Sequence, residues 1–299
     1  MRLLITGATG HSGVFFLEYL NNNNLGFDSI RCIVRATSDL SVFKNFNNLD
    51  FEYVQGDIEN QDFLNEVASD VDVILNIANI RFSTLLVEAA VKNSVPWLIG
   101  VHTTGRYSKF KSASSEYIAI EDKLLAERKI DLTILRPTMI YGSMRDKNMS
   151  KLVKFLDKSP VFPIFGDGSN LMQPVRAQDL GKAYYDVLKN REKTMNKEYN
   201  LSGADEIRYE QIINVVSGYL NKKTYLIKLP IKLSYGFTKM ANKIIPKFPI
   251  NEEQVLRMQE DKVFSHEDAK KDFGYSPSSF KEGIKFEVEE YLRGKGRKQ

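Results

Sequence analysis

Thr6-Gly7-Ala8-Thr9-Gly10-His11-Ser12-Gly13 stands directly after the apolar run Leu3–Ile5 and directly before the amphipathic pattern Val14, Phe15, Leu17 and Leu20. A strand that turns through glycines spaced GxxGxxG into a helix is built to receive a pyrophosphate. Gly7, Gly10 and Gly13 permit the tight turn and a close backbone approach, and the helix start offers N–H donors and a favourable dipole. Thr9, His11 and Ser12 line that turn. A glycine-rich turn with no ligand is the competing reading, and the strand-turn-helix context weighs against it.

Outward from this turn, short runs rich in Val, Ile and Leu recur at Ile30–Arg35, Phe51–Gln55, Val71–Ile77, Trp97–Val101 and Leu132–Arg136. Near-continuous apolar runs of this length read as strands buried on both faces. The segments between them, such as Gly13–Asn21 and Phe82–Asn93, are long enough for crossover helices. The alternation predicts an α/β fold, a doubly wound parallel sheet, over residues 1–150. After residue 150 the pattern changes. Pro160, Pro163, Gly166, Gly168 and Pro174 crowd one stretch, which reads as loops. Ala177–Asn190 and Tyr209–Leu220 read as helices and Glu198–Ser202 as a strand. Residues 151–299 are therefore expected to form a smaller C-terminal lobe, with part of 165–195 returning to the first domain.

Composition bounds the rest. The 299 residues carry 42 Lys+Arg against 38 Asp+Glu, a formal charge of +4, too mild to imply nucleic-acid binding. The single cysteine, Cys32, excludes an internal disulfide and fits a reducing compartment. His11, His102 and His266 are far apart, so no metal site is expected. The opening apolar run is too short for a secretory signal, and no window approaches a membrane-spanning length, so a cytoplasmic location is expected.

The segment Thr6–Gly13 resembles the opening of the short-chain dehydrogenase/reductase superfamily, and in particular its extended branch, the NAD-dependent epimerase/dehydratases. Further segments carry the resemblance in order along the chain: Gly56-Asp57-Ile58, Asn76-Ile77-Ala78-Asn79, Leu135 to Gly142, Phe165 to Gly168, Gln173-Pro174-Val175, Asp179-Leu180 and Asp272 to Pro277. The resemblance implies that Asp57 and Ile58 contact adenine, that Ala78 and Asn79 flank the adenosine ribose, and that Pro137 and Met139 approach the nicotinamide. It implies a nucleotide-linked sugar as substrate, reduced, epimerised or dehydrated through a keto intermediate, and a homodimer formed through helices on one face of the sheet. Gln173 and Arg176 follow the loop entering the lobe and are candidates for facing substrate.

The second strand ends Ile33-Val34-Arg35, with no carboxylate before Asp39. An enzyme binding NAD places an acid there, about 20 residues after the glycines, on the ribose 2′-hydroxyl. Arg35 instead suits a 2′-phosphate, so NADP is expected in preference to NAD.

The family's catalytic pattern breaks in this chain. A Ser or Thr is followed by Tyr-x-x-x-Lys on a helix, the lysine assisting the tyrosine in proton exchange with substrate. Thr104 fits the hydroxyl position. Four residues after Tyr117 stands Glu121, and Lys123 is six away. Three readings stay open: Tyr117 with a nonstandard cation, Lys123 or Lys111; the literal Tyr107-Ser108-Lys109-Phe110-Lys111 working from a loop; or loss of proton transfer. Ser114 reads as the N-cap of the helix Glu116–Lys129. If Lys123 and Glu127 match the family's Lys-x-x-x-Glu, the tyrosine position holds Ala119.

From Gln211 to Asn251 there is no Asp or Glu, while Lys222, Lys223, Lys228, Lys232, Lys239, Lys243 and Lys247 fall in the span. At about 100° per residue, Lys232, Lys239 and Lys243 share one stripe, and Leu233, Phe237, Met240 and Ile244 share another. The plain reading is a solvated lysine face on a helix whose apolar side covers a core. The sharper readings are a funnel for a diphosphate substrate or contact of 222–247 with an anionic membrane surface. The whole chain thus reads as an NAD(P)-dependent oxidoreductase, epimerase or dehydratase. A non-enzymatic NADP-binding sensor and an NADPH-dependent reductase of a small carbonyl compound are the alternatives.

Overall fold

The computed structural model describes residues 1–23, 25–110, 114–244 and 252–296. Lys111, Lys247 and Asn251, named in the sequence reading, lie outside them. Six strands, β1 (Arg2–Thr6), β2 (Ser29–Val34), β3 (Phe51–Gln55), β4 (Val73–Asn76), β5 (Trp97–Val101) and β6 (Asp131–Pro137), join a seventh, Glu198–Leu201, in one sheet. Its order is seventh strand, β6, β5, β4, β1, β2, β3, and every pairing is parallel. The order reverses between β1 and β4, which opens a crevice at the carboxyl ends of those strands. The predicted α/β fold is therefore the observed one.

Strand alternation supplies both faces. Leu3 and Ile5 point into one core with Phe16, Leu17 and Leu20 of α1 (His11–Asn22), and with Leu180 and Tyr184 from residues 177–189. Leu4, Ile74 and Leu98 point into the other, with Leu64 of α2 (Gln61–Val67), Leu86 of α3 (Ser83–Lys92) and Leu124 of α4 (Ser115–Glu127). Burial on both faces explains why these strands lack polar alternation. A third cluster holds the C-terminal lobe. Val153 and Leu156 of α5 (Met149–Lys158) pack there with Ile164, Ile212, Val216, Phe280 and Ile284. Short strand pairs frame it: Val161–Phe165 with Tyr225–Leu229 in parallel, and Leu171–Met172 with Ile207–Arg208 antiparallel.

Residues 177–201 cross back to the sheet. Glu198–Leu201 pairs with β6, and α6 (Ala177–Lys189) lies against α1. Contact is close at Gly181, where an added Cβ would sit 2.6 Å from both Phe15 C and Phe16 N. Backbone cannot yield as a side-chain tip can. Gly181→Ala is therefore expected to destabilise the protein by about 1–3 kcal/mol, read as a lowered urea midpoint at unchanged slope. An unchanged midpoint would mean the two helices are not held at this spacing.

Candidate functional site

The crevice is a cleft of about 1760 Å³. Its floor is the glycine turn. Gly7 adopts φ +76°, and a Cβ there would lie 2.7 Å from the Ala78 nitrogen, so β1 and the end of β4 meet only because position 7 has no side chain. Gly13 serves packing rather than ligand approach: a Cβ at that position would stand 2.2 Å from the Gly7 carbonyl oxygen. Gly10 occupies the cap position of α1; no side chain caps this helix, and its first turn carries no acid. Its leading N–H groups thus face the cleft with a positive dipole end. Those features fit a bound diphosphate. Ser12 Oγ meets Tyr184 OH at 3.2 Å, tying the turn to α6. The buried His11 Nε2 has no partner among the described residues.

Around this floor the wall includes Thr9, Arg35, Ile58, Ala78, Asn79, Thr104 and Met139, all expected from sequence. Arg35 is exposed, and its own amide donates to Ser38 Oγ. Asp39, the nearest acid after β2, is spent as a cap, accepting from Ser41 N at 3.0 Å and Ser41 Oγ at 2.6 Å. Arg145 was not expected. It reaches across from the loop after β6 to donate to the Thr9 carbonyl at 2.6 Å.

Other expected residues do not reach the wall. Asp57 is exposed and accepts from Glu59 N, closing its own turn. Pro137 offers its carbonyl to Thr104 Oγ1 at 3.2 Å. Gln173 is buried, and its Oε1 accepts from Phe264 N at 2.9 Å, so it fastens a loop. Arg176 lies over the Phe286 ring at 4.5 Å. Tyr117 has the Arg81 guanidinium over its ring at 5.0 Å. Lys123 is half exposed beside Glu127. The structure thus brings Thr104 to the cleft but leaves Tyr117 and Lys123 off its wall. Ser114 precedes α4 without a side-chain cap bond, and Glu116 of the first turn is drawn outward to Arg81 instead.

What lies under α4 is an ion cage. Glu121 is 1% exposed. It accepts from His102 Nδ1 at 2.7 Å, from Arg136 Nε at 2.8 Å and Nη2 at 2.6 Å, and from Arg106. Arg136, 4% exposed, also pairs with Glu198 and donates from Nη1 to Tyr107 OH at 3.0 Å. On the far side His102 Nε2 meets Ser83 Oγ at 3.1 Å, Asn76 Nδ2 donates to Ser83 Oγ, and Thr6 Oγ1 donates to Asn76 Oδ1. A continuous polar chain therefore runs from the end of β1 beneath the cleft floor to the Tyr107 phenol on the cleft wall. Burial lowers the His102 pKa despite Glu121, so the ring is neutral at pH 7, with Nδ1–H donating to Glu121. Burial pushes the Glu121 carboxyl up, but hydrogen bonds from His102 and Arg136 and the Arg136 charge outweigh it, bringing it to about 2.

A second buried acid behaves oppositely. Glu287 is fully buried and accepts from the Gly142 amide. Burial, reinforced by the neighbouring Asp146, raises its pKa to about 9.

The wall opposite the sheet comes from residues 256–264 and includes Leu256, Arg257, Lys262 and Phe264. Nothing in the sequence marks this segment, because its role depends on where the C-terminal lobe folds back. Lys262 is largely buried, and that burial, with the nearby Arg257 charge, lowers its pKa. No helix among the described residues is long and apolar enough to cross a membrane. No cluster of His, Cys, Asp or Glu among them is placed to hold a metal.

Sheet order, glycine turn and switch-point cleft define the class as a doubly wound Rossmann fold. The chain belongs to the NmrA-like family, which it matches over residues 1–292. It is 23% identical over 264 residues to the low-salt glycan biosynthesis protein Agl12 of Haloferax volcanii, covering 73% of this chain and 83% of that one. Among solved structures it superposes on the dTDP-glucose 4,6-dehydratase DesIV of Streptomyces venezuelae with a TM-score of 0.75 at 18% identity, covering 99% and 98% of the two chains. The UDP-glucose 4-epimerase of Thermotoga maritima gives 0.72 at 16%, covering 98% and 99%.

The two buried acids set opposite limbs of a stability profile. Glu121 is depressed on folding, so its contribution is full above the ordinary 4.5 and is lost as pH falls through about 2. Glu287 is raised, so its contribution is full below 4.5 and is lost as pH rises through about 9. Urea midpoints across pH should show Glu287→Gln flattening the alkaline limb only. Glu121→Ala should cost about 3–5 kcal/mol at pH 7 by leaving Arg136 buried beside an empty place. A cost within experimental error would show that the cage is not what holds α4.

Proposed function

We propose that this chain binds NADP in preference to NAD along the cleft and carries out redox chemistry on a nucleotide-linked sugar through a keto intermediate, with Tyr107 as the proton-transfer residue. Tyr107 carries the reading. It is the phenol on the cleft wall, three residues from Thr104, and its oxygen accepts from the Arg136 guanidinium. Arg136 stays charged at any working pH and can hydrogen-bond the phenol oxygen with or without its proton. A residue that gives and takes a proton needs such a partner.

The cage argues for this assignment over Tyr117. The buried acid of α4 that anchors it to β6 is Glu121, not the exposed Glu127. Counting back four from Glu121 puts Tyr117, not a lysine, in the family's lysine position. Lys111, the other cation weighed, lies outside the described residues. When bound, the nicotinamide supplies the hydride exchange. The chain's own part is to seat the diphosphate on the α1 amides and to present Arg35 to the adenosine 2′ position. Ile58, Ala78 and Asn79 border that end, and Thr104 with Tyr107 borders the reactive end. DesIV was solved with NAD and TYD, and the Thermotoga enzyme with UDP-glucose, which supports a nicotinamide dinucleotide and a nucleotide-linked sugar; the preference for NADP rests on Arg35 alone. A second reading, dinucleotide binding without turnover, is favoured by the replacement of the Tyr-Lys pair by the Glu121 cage.

Arg35→Ala is expected to raise the NADP dissociation constant about tenfold or more while leaving the NAD value nearly unchanged; equal effects would reject the 2′-phosphate role. With nucleotide-sugars as substrate, Tyr107→Phe should keep NADP affinity and lower turnover by roughly 10²–10⁴. Full turnover in that variant would reject Tyr107. No turnover in the parent, with NADP bound, would establish the binding-only reading.

A further inference from the structure

The helix Ile231–Ile244 is turned inside out. The face it buries is small and largely polar, Ser234, Thr238 and Ala241. The face it presents outward is large and apolar: Leu233 is 69% exposed, Phe237 61%, Met240 56% and Ile244 70%. At about 100° per residue those four fall within some 60° of one another, roughly a quarter turn from the buried stripe. This corrects the plain sequence reading, in which the apolar stripe covers a core. The strand just before the helix adds exposed Tyr225 and Ile227. Scattered exposed apolar residues need no explanation, whereas a contiguous stripe marks a contact surface.

Charge identifies what the surface meets. Lys232, Lys239 and Lys243 form an exposed stripe about a third of a turn from the apolar one, and the chain has no acid from Gln211 to Asn251. Lys222 and Lys228 are engaged by Asp157 and Glu210, while no salt bridge within the described residues involves the three helix lysines. A protein interface would bring acids to such lysines one by one; an anionic bilayer brings a continuous negative surface together with an apolar layer directly behind it. The helix has 14 residues, about 21 Å at 1.5 Å per residue, which suits lying in the interface.

We propose that Ile231–Ile244 docks this protein on an anionic membrane surface, with Leu233, Phe237, Met240 and Ile244 entering the acyl boundary and Lys232, Lys239 and Lys243 on the headgroups. The surface adjoins the site: Ile231, the first residue of the helix, lines the cleft. Docking therefore brings one rim of the cleft to the lipid.

The test is sedimentation of the full chain with vesicles of phosphatidylcholine alone and of phosphatidylcholine with phosphatidylglycerol. The chain should pellet with the anionic vesicles and release at high salt. The triple variant Lys232→Gln/Lys239→Gln/Lys243→Gln should bind them at least about tenfold more weakly. Leu233→Ser/Ile244→Ser should also lose binding with the charge untouched. Each variant should keep the parent's thermal midpoint, because none of these side chains is buried; a variant that does not is replaced by Met240→Ser, read the same way. No pelleting above the vesicle-free control would overturn the proposal. So would a concentration-dependent dimer abolished by Leu233→Ser/Ile244→Ser, which would assign the face to a second copy.

Discussion

A carboxylate removed from water must be met by cations and hydrogen bonds, and Glu121 meets that demand in a way that organises the cleft. Its partners come from four places: His102 after β5, Arg106 in the following turn, Arg136 on β6, and, through Arg136, Glu198 on the seventh strand. Satisfying one acid thus fixes the rotation of α4 and ties it to three strands. A buried pair of this kind is weak evidence for net stability but strong evidence for a fixed geometry, since removing any partner leaves the others uncompensated. The Arg136 side chain that neutralises Glu121 also touches Tyr107, so the fold's buried electrostatics and the chemistry of the cleft wall share one guanidinium.

The glycine turn imposes the other constraint. Gly7 lets β1 and the end of β4 close to contact distance, and Gly13 lets α1 sit on the turn. The helix then begins without a cap at the point where the sheet order reverses. Arg145 bridges to Thr9 from the opposite side, so the floor of the cleft is held by backbone donors and bordered by side chains that carry positive charge.

Much of this was legible in the sequence. Buried strands announce themselves as runs of Val, Ile and Leu, and all six expected strands lie within a few residues of where the runs stand, although β3, at the sheet edge, buries none of its residues. The turn was legible because glycine has no substitute there. The register of α4 was not. A glutamate in a helix reads as a solvent-facing residue, so Glu121 looked like an interruption of a catalytic motif, and only the position of Arg136 on β6 shows it to be the anchor. Gln173 and Arg176 follow the loop into the lobe, yet that loop turns their side chains toward Phe264 and Phe286. The wall at 256–264 carries no periodic signal at all. The helix Ile231–Ile244 misleads for a related reason: an apolar stripe reveals that a face avoids water without revealing what covers it.

We propose above that a dinucleotide lies on the uncapped start of α1 with its reactive end toward Thr104 and Tyr107. A crystal structure grown with NADP tests it most directly. The diphosphate is expected within hydrogen-bonding distance of the amides at His11 and Ser12, the Gly10 amide being used on the Gly7 carbonyl, with the 2′-phosphate at Arg35 and the nicotinamide facing Thr104 and Tyr107. A diphosphate bound away from the α1 amides, or a nicotinamide facing Tyr117, would contradict it.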